Sequence, residues 1–332
     1  MRPVRFHSLF DRTVARPRPL WMTLVLVLLV YLPTLGAIAA LGLTDLPGNP
    51  GNRSLLAAPT VIAYVLLLGP ILGPLESAVV RSLRPILLVE DEELARIVER
   101  AATVSPWHEI AAIAGGLVFA VIIIGGPPGP GEAWPSYVVM ATGYVMLGLL
   151  GWAAFLSIAA TRVVSTLLRL PMQVDPLDRG PFEAIGRQSL ALALTFVGGI
   201  TIGLIMGNYG SAALLNPRFW LLFLPLSLLP VLVFYLNMRP THRILSTARN
   251  RALAEVQQQL RRSFPSLLEG MQKGKPTGNL SLEVNALVAY EKELQEVSTW
   301  PYNPATLRTL AASVLFPVAT LLARRVFEVY IQ

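Results

Sequence analysis

The chain predicts an all-α, polytopic helical membrane protein with about seven transmembrane helices and cytoplasmic helical extensions, and three observations make the prediction. Apolar residues are 54% of the sequence and charged residues 14%, where soluble domains carry charge at about a quarter of their positions. Its apolar runs reach the roughly 20 residues needed to cross about 30 Å of hydrocarbon. Its arginines and lysines gather on one flank of those runs.

Residues 1–19 form a basic tail, with Arg2, Arg5, Arg12, Arg16 and Arg18 against one acid, Asp11. The first apolar run, 20–43, follows. Ala37-Ile38-Ala39 would also suit a signal-peptide cleavage site, but the apolar run continues through it to Leu43. Pro47, Gly48, Asn49, Pro50 and Gly51 mark a turn-rich loop. The second span, about 54–79, contains Pro59, Pro70 and Pro74, which a membrane helix tolerates where neighbours satisfy the freed carbonyls.

A polar loop over 80–109 should hold a helix beginning at Val89-Glu90-Asp91-Glu92-Glu93, whose acids suit the positive helix end, with Arg96 and Arg100 one and two turns on. Such a charge run reads as a solvated, self-paired face, and secondarily as a divalent-cation or partner site. The third span, about 110–125, ends in Gly-Gly-Pro-Pro-Gly-Pro-Gly, and the fourth covers about 137–160. A second polar loop, 161–188, carries Asp175, Asp178 and Arg179 among prolines and a glycine that forbid a continuous helix. This is expected to be a cytoplasmic elbow pinned by Asp–Arg pairs, and secondarily a ligand or gating contact.

The fifth span, about 190–207, ends with Gly199, Gly203 and Gly207 at small-xxx-small spacing, a pattern for close helix packing. The sixth, about 217–237, has Pro225 and Pro230. Six spans thus make a bundle over 20–238, read as free of charge in their interiors. That counts against proton- or sodium-coupled carriage, which keeps an ionisable group near the midplane.

Residues 239–302 are the largest polar block. One helix is expected over about 241–262, broken by Phe264-Pro265 and the turn around Lys273–Asn279, and a second amphipathic helix over about 282–297. Trp300-Pro301-Tyr302 stands where an interfacial anchor belongs, before a terminal amphipathic helix over 303–332. There Thr306, Thr309, Ser313, Thr320, Arg324 and Glu328 share about a third of the circumference, with Phe316 at its edge and Leu307, Leu310, Val314 and Val318 opposite. The short apolar stretch 309–323 could also lie re-entrant or flat on the inner surface.

Of the 27 lysines and arginines, all but Arg53, Arg218, Arg324 and Arg325 fall on the flank of the N-terminus. The positive-inside rule then makes the N-terminus cytoplasmic, in a cell inner (plasma) membrane. The net charge of +7 follows from that topology and does not point to nucleic acid.

Motifs for chemistry fail one by one. The chain has no cysteine, and its three histidines, His7, His108 and His242, are scattered. His108-Glu109 lacks the second histidine of a zinc-protease helix, and Gly270–Thr277 misses P-loop spacing and contains Pro276. No Gly-x-Ser-x-Gly elbow occurs. No cofactor, metal or catalytic residue is predicted, and an enzyme stays open only as a cytoplasmic-face site that could use Asp175, Asp178, His108 and His242.

Three functions compete. The first is an oligomeric ion channel whose pore is lined by Thr306, Thr309, Ser313 and Thr320, with Arg324 at the mouth and Phe316 as an apolar constriction. The layout of seven spans, a cytoplasmic N-terminus, short outer loops and a long polar block before the last helix resembles the insect odorant and gustatory receptor family of seven-helix ion channels, without carrying over ligand gating. That family's last-helix tyrosine and Gln-Phe signature is absent here, so no residue takes a role from it. The second function is a membrane scaffold binding a cytoplasmic protein through 241–262 and 282–297. The third is an uncoupled carrier of a small apolar or amphipathic solute. All three share the lipid bilayer as a partner.

Overall fold

The structure, a computed structural model, describes residues 20–43, 45, 49–207, 216–273 and 278–300, with single positions 308, 309, 311, 312, 315 and 319 beyond them. The described residues are helical apart from turns, loops and one antiparallel bridge between Leu87 and Met172. The helices are α1 (Leu20–Ala40), α2 (Pro50–Ser54), α3 (Ala57–Leu83), α4 (Asp91–Ala102), α5 (Pro106–Ile124), α6 (Trp134–Leu167), α7 (Gly180–Met206), α8 (Pro217–Gln272) and α9 (Gly278–Glu296). A 3₁₀ turn, Arg84–Ile86, follows α3.

Proline sets where several of these helices begin. α2, α5, α6, α7 and α8 each carry one in the first two helical positions, where the missing N–H is an orphan in any case and φ is already helical. Asn49 and Asn216 complete two of those starts by accepting from the N–H of Gly51 and of Arg218, both at 2.9 Å. α5 ends at Gly125, whose φ of 112° excludes most side chains.

Among the described residues, six helical stretches are long and apolar enough to cross a membrane: Trp21–Ala40, Gly51–Ile86, Asp91–Ile124, Trp134–Leu167, Gly180–Met206 and Pro217–Gln272. The expected seventh, 303–332, lies outside the described residues except at the scattered positions given above. α3 packs on α7, α7 on α8, and α5 on α6, while α1 closes against α3 and α6. Two polar contacts hold α1: the Tyr31 hydroxyl donates to Thr60 at 2.7 Å, and the fully buried Thr34 meets Thr142 at 3.4 Å.

At the α5–α6 crossing the helices approach backbone to backbone. A Cβ at Gly116 would stand 2.4 Å from the Leu147 carbonyl oxygen, and one at Gly151 would stand 2.7 Å from that of Ala112. Only hydrogen fits there, so the two backbones meet directly.

A continuous apolar core lies toward the arginine-rich end, where Leu83, Leu94, Leu167, Phe182, Ile185 and Met238 are essentially inaccessible. It seats the amphipathic α4 by Leu94, Val98 and Ala102. Farther along the bundle, large apolar side chains turn outward, among them Leu24, Leu28, Val118, Ile122, Leu228 and Leu232.

Two sequence expectations are corrected here. The polar block does not begin a new helix: α8 runs unbroken for 56 residues through Pro225, Pro230, Pro240 and Pro265, about 84 Å at 1.5 Å per residue. A proline removes one intrahelical bond and crowds the preceding turn, but its own φ is helical. α9 packs against this helix. The elbow over 168–179 is also held differently from the expected Asp–Arg pairs. Asp175 accepts from the Leu177 N–H and Asp178 from the Gly180 N–H, both at 2.9 Å. The loop is tied to 86–88 by Leu88 N–H to Pro171 O at 3.0 Å and Gln173 N–H to Ile86 O at 2.8 Å. Among the described residues, neither aspartate nor Arg179 forms an ion pair; the nearby pair is Arg84–Asp91.

α8 and α9 form an antiparallel hairpin. Arg249 donates from Nε to Leu294 O and from Nη2 to Gln295 O, each at 2.8 Å, capping the carbonyl end of α9. His242 stacks on Trp300 with ring centroids 4.1 Å apart, and Gln257 donates to Glu291 at 2.9 Å.

Candidate functional site

Among the described residues, the bundle leaves a space between α3, α6, α7 and α8. A cavity of about 210 Å³ opens there. On α3 its wall runs Ala57, Val61, Tyr64, Leu68, Leu72 and Glu76, a spacing of three and four residues that presents one helix face. From Ala57 to Glu76 is about 28 Å of helix rise. The space is therefore an elongated cleft that follows nearly the full apolar length of α3.

Three glycines keep the cleft open. Gly73 and Gly203 line it, and a Cβ at either would meet no atom of the described residues within 4 Å. At Gly199 an added Cβ would come to ordinary contact, 3.7 Å, with the Tyr64 ring. Trp152, 3% exposed, and Phe219 and Phe223 form other parts of the wall. The two phenylalanines are stacked with centroids 5.4 Å apart.

The wall's hydroxyls are directed at backbone. Ser157 and Thr195 donate to the carbonyls four residues back, Ala153 and Ala191, at 2.9 Å each. Tyr64 donates to Thr195 O at 3.0 Å. The charged lining residue among those described is Glu76, half-buried at the arginine-rich end of the cleft. Glu76 and Ala160 also line a small neighbouring void of about 10 Å³, whose wall includes Gln188. Gln188 is 4% exposed, and its Oε1 has no hydrogen-bond partner among the described residues.

Comparison with known proteins brings no match: no family model, no curated protein and no solved structure matches this chain. The site must be read from its own chemistry.

Of the residues singled out from sequence, Gly199 and Gly203 line this cleft, and Gly207 caps α7, its N–H donating to Gly203 O at 2.8 Å. The close approach on α7 falls one residue earlier, at Gly198, where a Cβ would stand 2.0 Å from the Tyr64 hydroxyl oxygen. Asp175 and Asp178 border a separate surface hollow beside Pro85 and Phe182. Thr306, Ser313, Phe316, Thr320 and Arg324 lie outside the described residues, and Thr309 is exposed. His242 is engaged with Trp300 and with Thr299 O, and His108 is exposed. No cluster of three or more metal-ligating side chains occurs among the described residues.

Sequence reading missed Glu76 and Gln188. The expected second span, about 54–79, contains Glu76, and α3 continues past it to Leu83, with Glu76 lining the cleft. A lone acid at position 76 of an otherwise apolar face was the available signal. Glu109, just before the expected third span, is 1% exposed in the first turn of α5, where the positive helix end suits it. The reading of chargeless spans is corrected accordingly at Glu76.

Proposed function

We propose that this chain is an integral membrane protein that binds a lipophilic, chain-like molecule in the cleft between α3, α6, α7 and α8, as a receptor or uncoupled carrier of such a solute. The six apolar stretches cross the bilayer in this reading, with the N-terminus and the α8–α9 hairpin on the cytoplasmic side, as the one-sided distribution of arginine suggests. Outward apolar side chains such as Leu28, Val118 and Leu228 face lipid.

One observation carries the binding reading: the cleft extends along the face from Ala57 to Glu76, walled by apolar side chains and kept open by Gly73, Gly199 and Gly203. Ligand sites are concave and mainly apolar, with few polar groups to orient the occupant. A packed bundle without a ligand would fill such a space with side chains.

The test is binding of N-phenyl-1-naphthylamine to the protein in phosphatidylcholine nanodiscs, corrected for partition into empty discs. Wild type should show saturable fluorescence enhancement. Gly203→Phe should lose it while remaining folded, because the new side chain enters open space. Uptake no greater than that of empty discs would end the proposal.

A further inference from the structure

From the second half of α8 we infer an interaction surface: an apolar stripe on the α8–α9 hairpin that pairs with the same stripe of a second copy of this chain, the two α8 helices running parallel. The inference uses the membrane crossing of α8 proposed above and is independent of the cleft.

The stripe is exposed on the water side of the protein. Phe264, Leu268 and Met271 are 49%, 46% and 64% exposed, and at 100° per residue they share about 60° of the α8 circumference. Outward apolar side chains such as Leu221, Leu224 and Leu228 belong instead to the apolar first half of α8, where lipid covers them in the membrane reading. Leu245 is the last α8 residue of the buried core. Phe264 stands about 28 Å of helix rise beyond it, so the bilayer that covers Leu228 does not cover Phe264. An apolar patch left facing water marks contact with another surface.

A sequence repeat identifies that surface. α8 carries Asn250, Gln257, Phe264 and Met271 at one position of a heptad, and Leu253, Leu260 and Leu267 three residues after the first three of them. These are the a and d positions of a coiled coil, in which leucine at d suits two parallel strands and a polar residue at a fixes their register. Charge is kept off the seam: Glu255, Arg262 and Glu269 share the f position, on the far side of the helix. Pro265 falls at b, exposed and off the seam. α9 packs along one flank of the repeat, and Val256 and Leu267 are 5% and 9% exposed. The other flank keeps Phe264, Leu268 and Met271 open.

Geometry then selects a second copy. Copies inserted the same way up in one membrane hold their α8 helices parallel, the orientation that the repeat requires. A two-fold axis along the membrane normal sets each residue opposite its own counterpart. A seam without charge is self-complementary, since it calls for no opposite charge across the axis. From Asn250 to Met271 is about 32 Å of helix, and two packed helices are about 20 Å wide. Two such faces bury roughly 1,200 Å², the lower end of the range for specific interfaces. Copies that share a membrane meet already oriented, which reduces the entropy cost of pairing.

Disulfide trapping in native membranes is the test, because the full chain contains no cysteine and facing a positions lie within disulfide reach. Phe264→Cys and Met271→Cys, made singly and treated with copper phenanthroline, should each give a reducible band of twice the chain mass. Glu255→Cys and Arg262→Cys, on the far side of the same helix, should not. Adding Phe264→Glu to Met271→Cys sets two carboxylates face to face across the axis and should abolish the doubled band. Leu268→Glu is the second variant should Phe264→Glu fail to fold.

Absence of a doubled band from both Phe264→Cys and Met271→Cys would overturn the pairing, whether their thiols react freely with maleimide or are shielded by another part of the chain. Doubled bands of equal strength at all four positions would overturn it as random collision. A doubled band that survives both glutamates would do the same. A reducible band of any other mass would assign the stripe to a different protein and end the self-pairing.

Discussion

The Tyr64 hydroxyl crosses from α3 to α7 and donates to the Thr195 carbonyl at 3.0 Å, and Gly198 provides the seat that lets it arrive. A Cβ at position 198 would stand 2.0 Å from the hydroxyl oxygen and 2.8 Å from Cζ. The contact therefore couples a polar bond to the absence of a side chain. Neither part survives without the other.

Gly198→Ala should consequently destabilise the bundle by about 1–3 kcal/mol, the usual cost of forcing extra volume into a packed interior. Part of that cost is the lost Tyr64 bond. Thermal unfolding in detergent is the measurement, with Tyr64→Ala added to the Gly198→Ala background as the diagnostic. The double variant should be less sensitive to position 198 than wild type is, because the ring that clashed is gone. Strictly additive effects would mean that the ring and the glycine do not interact.

The α5–α6 crossing offers a matched pair of neighbours. At Gly116 an added Cβ would overlap the Leu147 carbonyl, whereas at Gly115 it would meet nothing within 4 Å. Gly116→Ala must push two helix backbones apart and should lower the unfolding temperature. Gly115→Ala should be neutral or raise stability by up to about 1 kcal/mol, the helix-propensity gain of alanine over glycine. Equal behaviour of the two variants would show that the helices do not cross at position 116.

How far these contacts were legible follows from what each depends on. Apolar runs define helices by length and composition alone, so the six long apolar stretches could be read directly, as could the amphipathic α4 from its acids at 91–93 and its buried Leu94 and Val98. The small-xxx-small pattern at Gly199 and Gly203 identifies a face without bulk, but not what stands opposite it. Here the space opposite Gly203 is a cleft, while the tight crossing uses Ala112 and Gly116, spaced just as suggestively. Which small face meets which neighbour is decided by the third dimension. The unbroken α8 was illegible for a related reason: a proline such as Pro265 stops an isolated helix more readily than one with α9 packed along it.

That hairpin hangs on Arg249. Its guanidinium donates to Leu294 O and Gln295 O, two of the carbonyls that a helix end leaves without intrahelical partners. The cation also faces the negative end of the α9 dipole. Arg249→Ala should free the last turn of α9, raising amide hydrogen exchange over residues 290–300 by about tenfold or more, as expected for the loss of bonds from a charged donor. Exchange in α3 and α7 should not change. Arg249→Lys should restore part of the protection, since an ammonium is a point donor and cannot span two carbonyls as a planar fork does. If Arg249→Ala leaves 290–300 as protected as wild type, packing of Leu294 alone holds the hairpin.

Orientation can be decided with two single cysteines, because the sequence contains none of its own. Glu132 is exposed in the loop between α5 and α6, and Glu283 is exposed on α9. These positions flank α6, α7 and the apolar part of α8, an odd number of crossings, which should place them on opposite faces of the membrane. Arginine crowds the α9 side, so that side should be cytoplasmic. A membrane-impermeant maleimide should therefore label Glu132→Cys in intact cells and Glu283→Cys only after lysis. The reverse pattern would invert the protein without altering the bundle. Labelling of both in intact cells would mean that at least one of the three intervening helices fails to cross, and the cleft they enclose would then open to water on a different side.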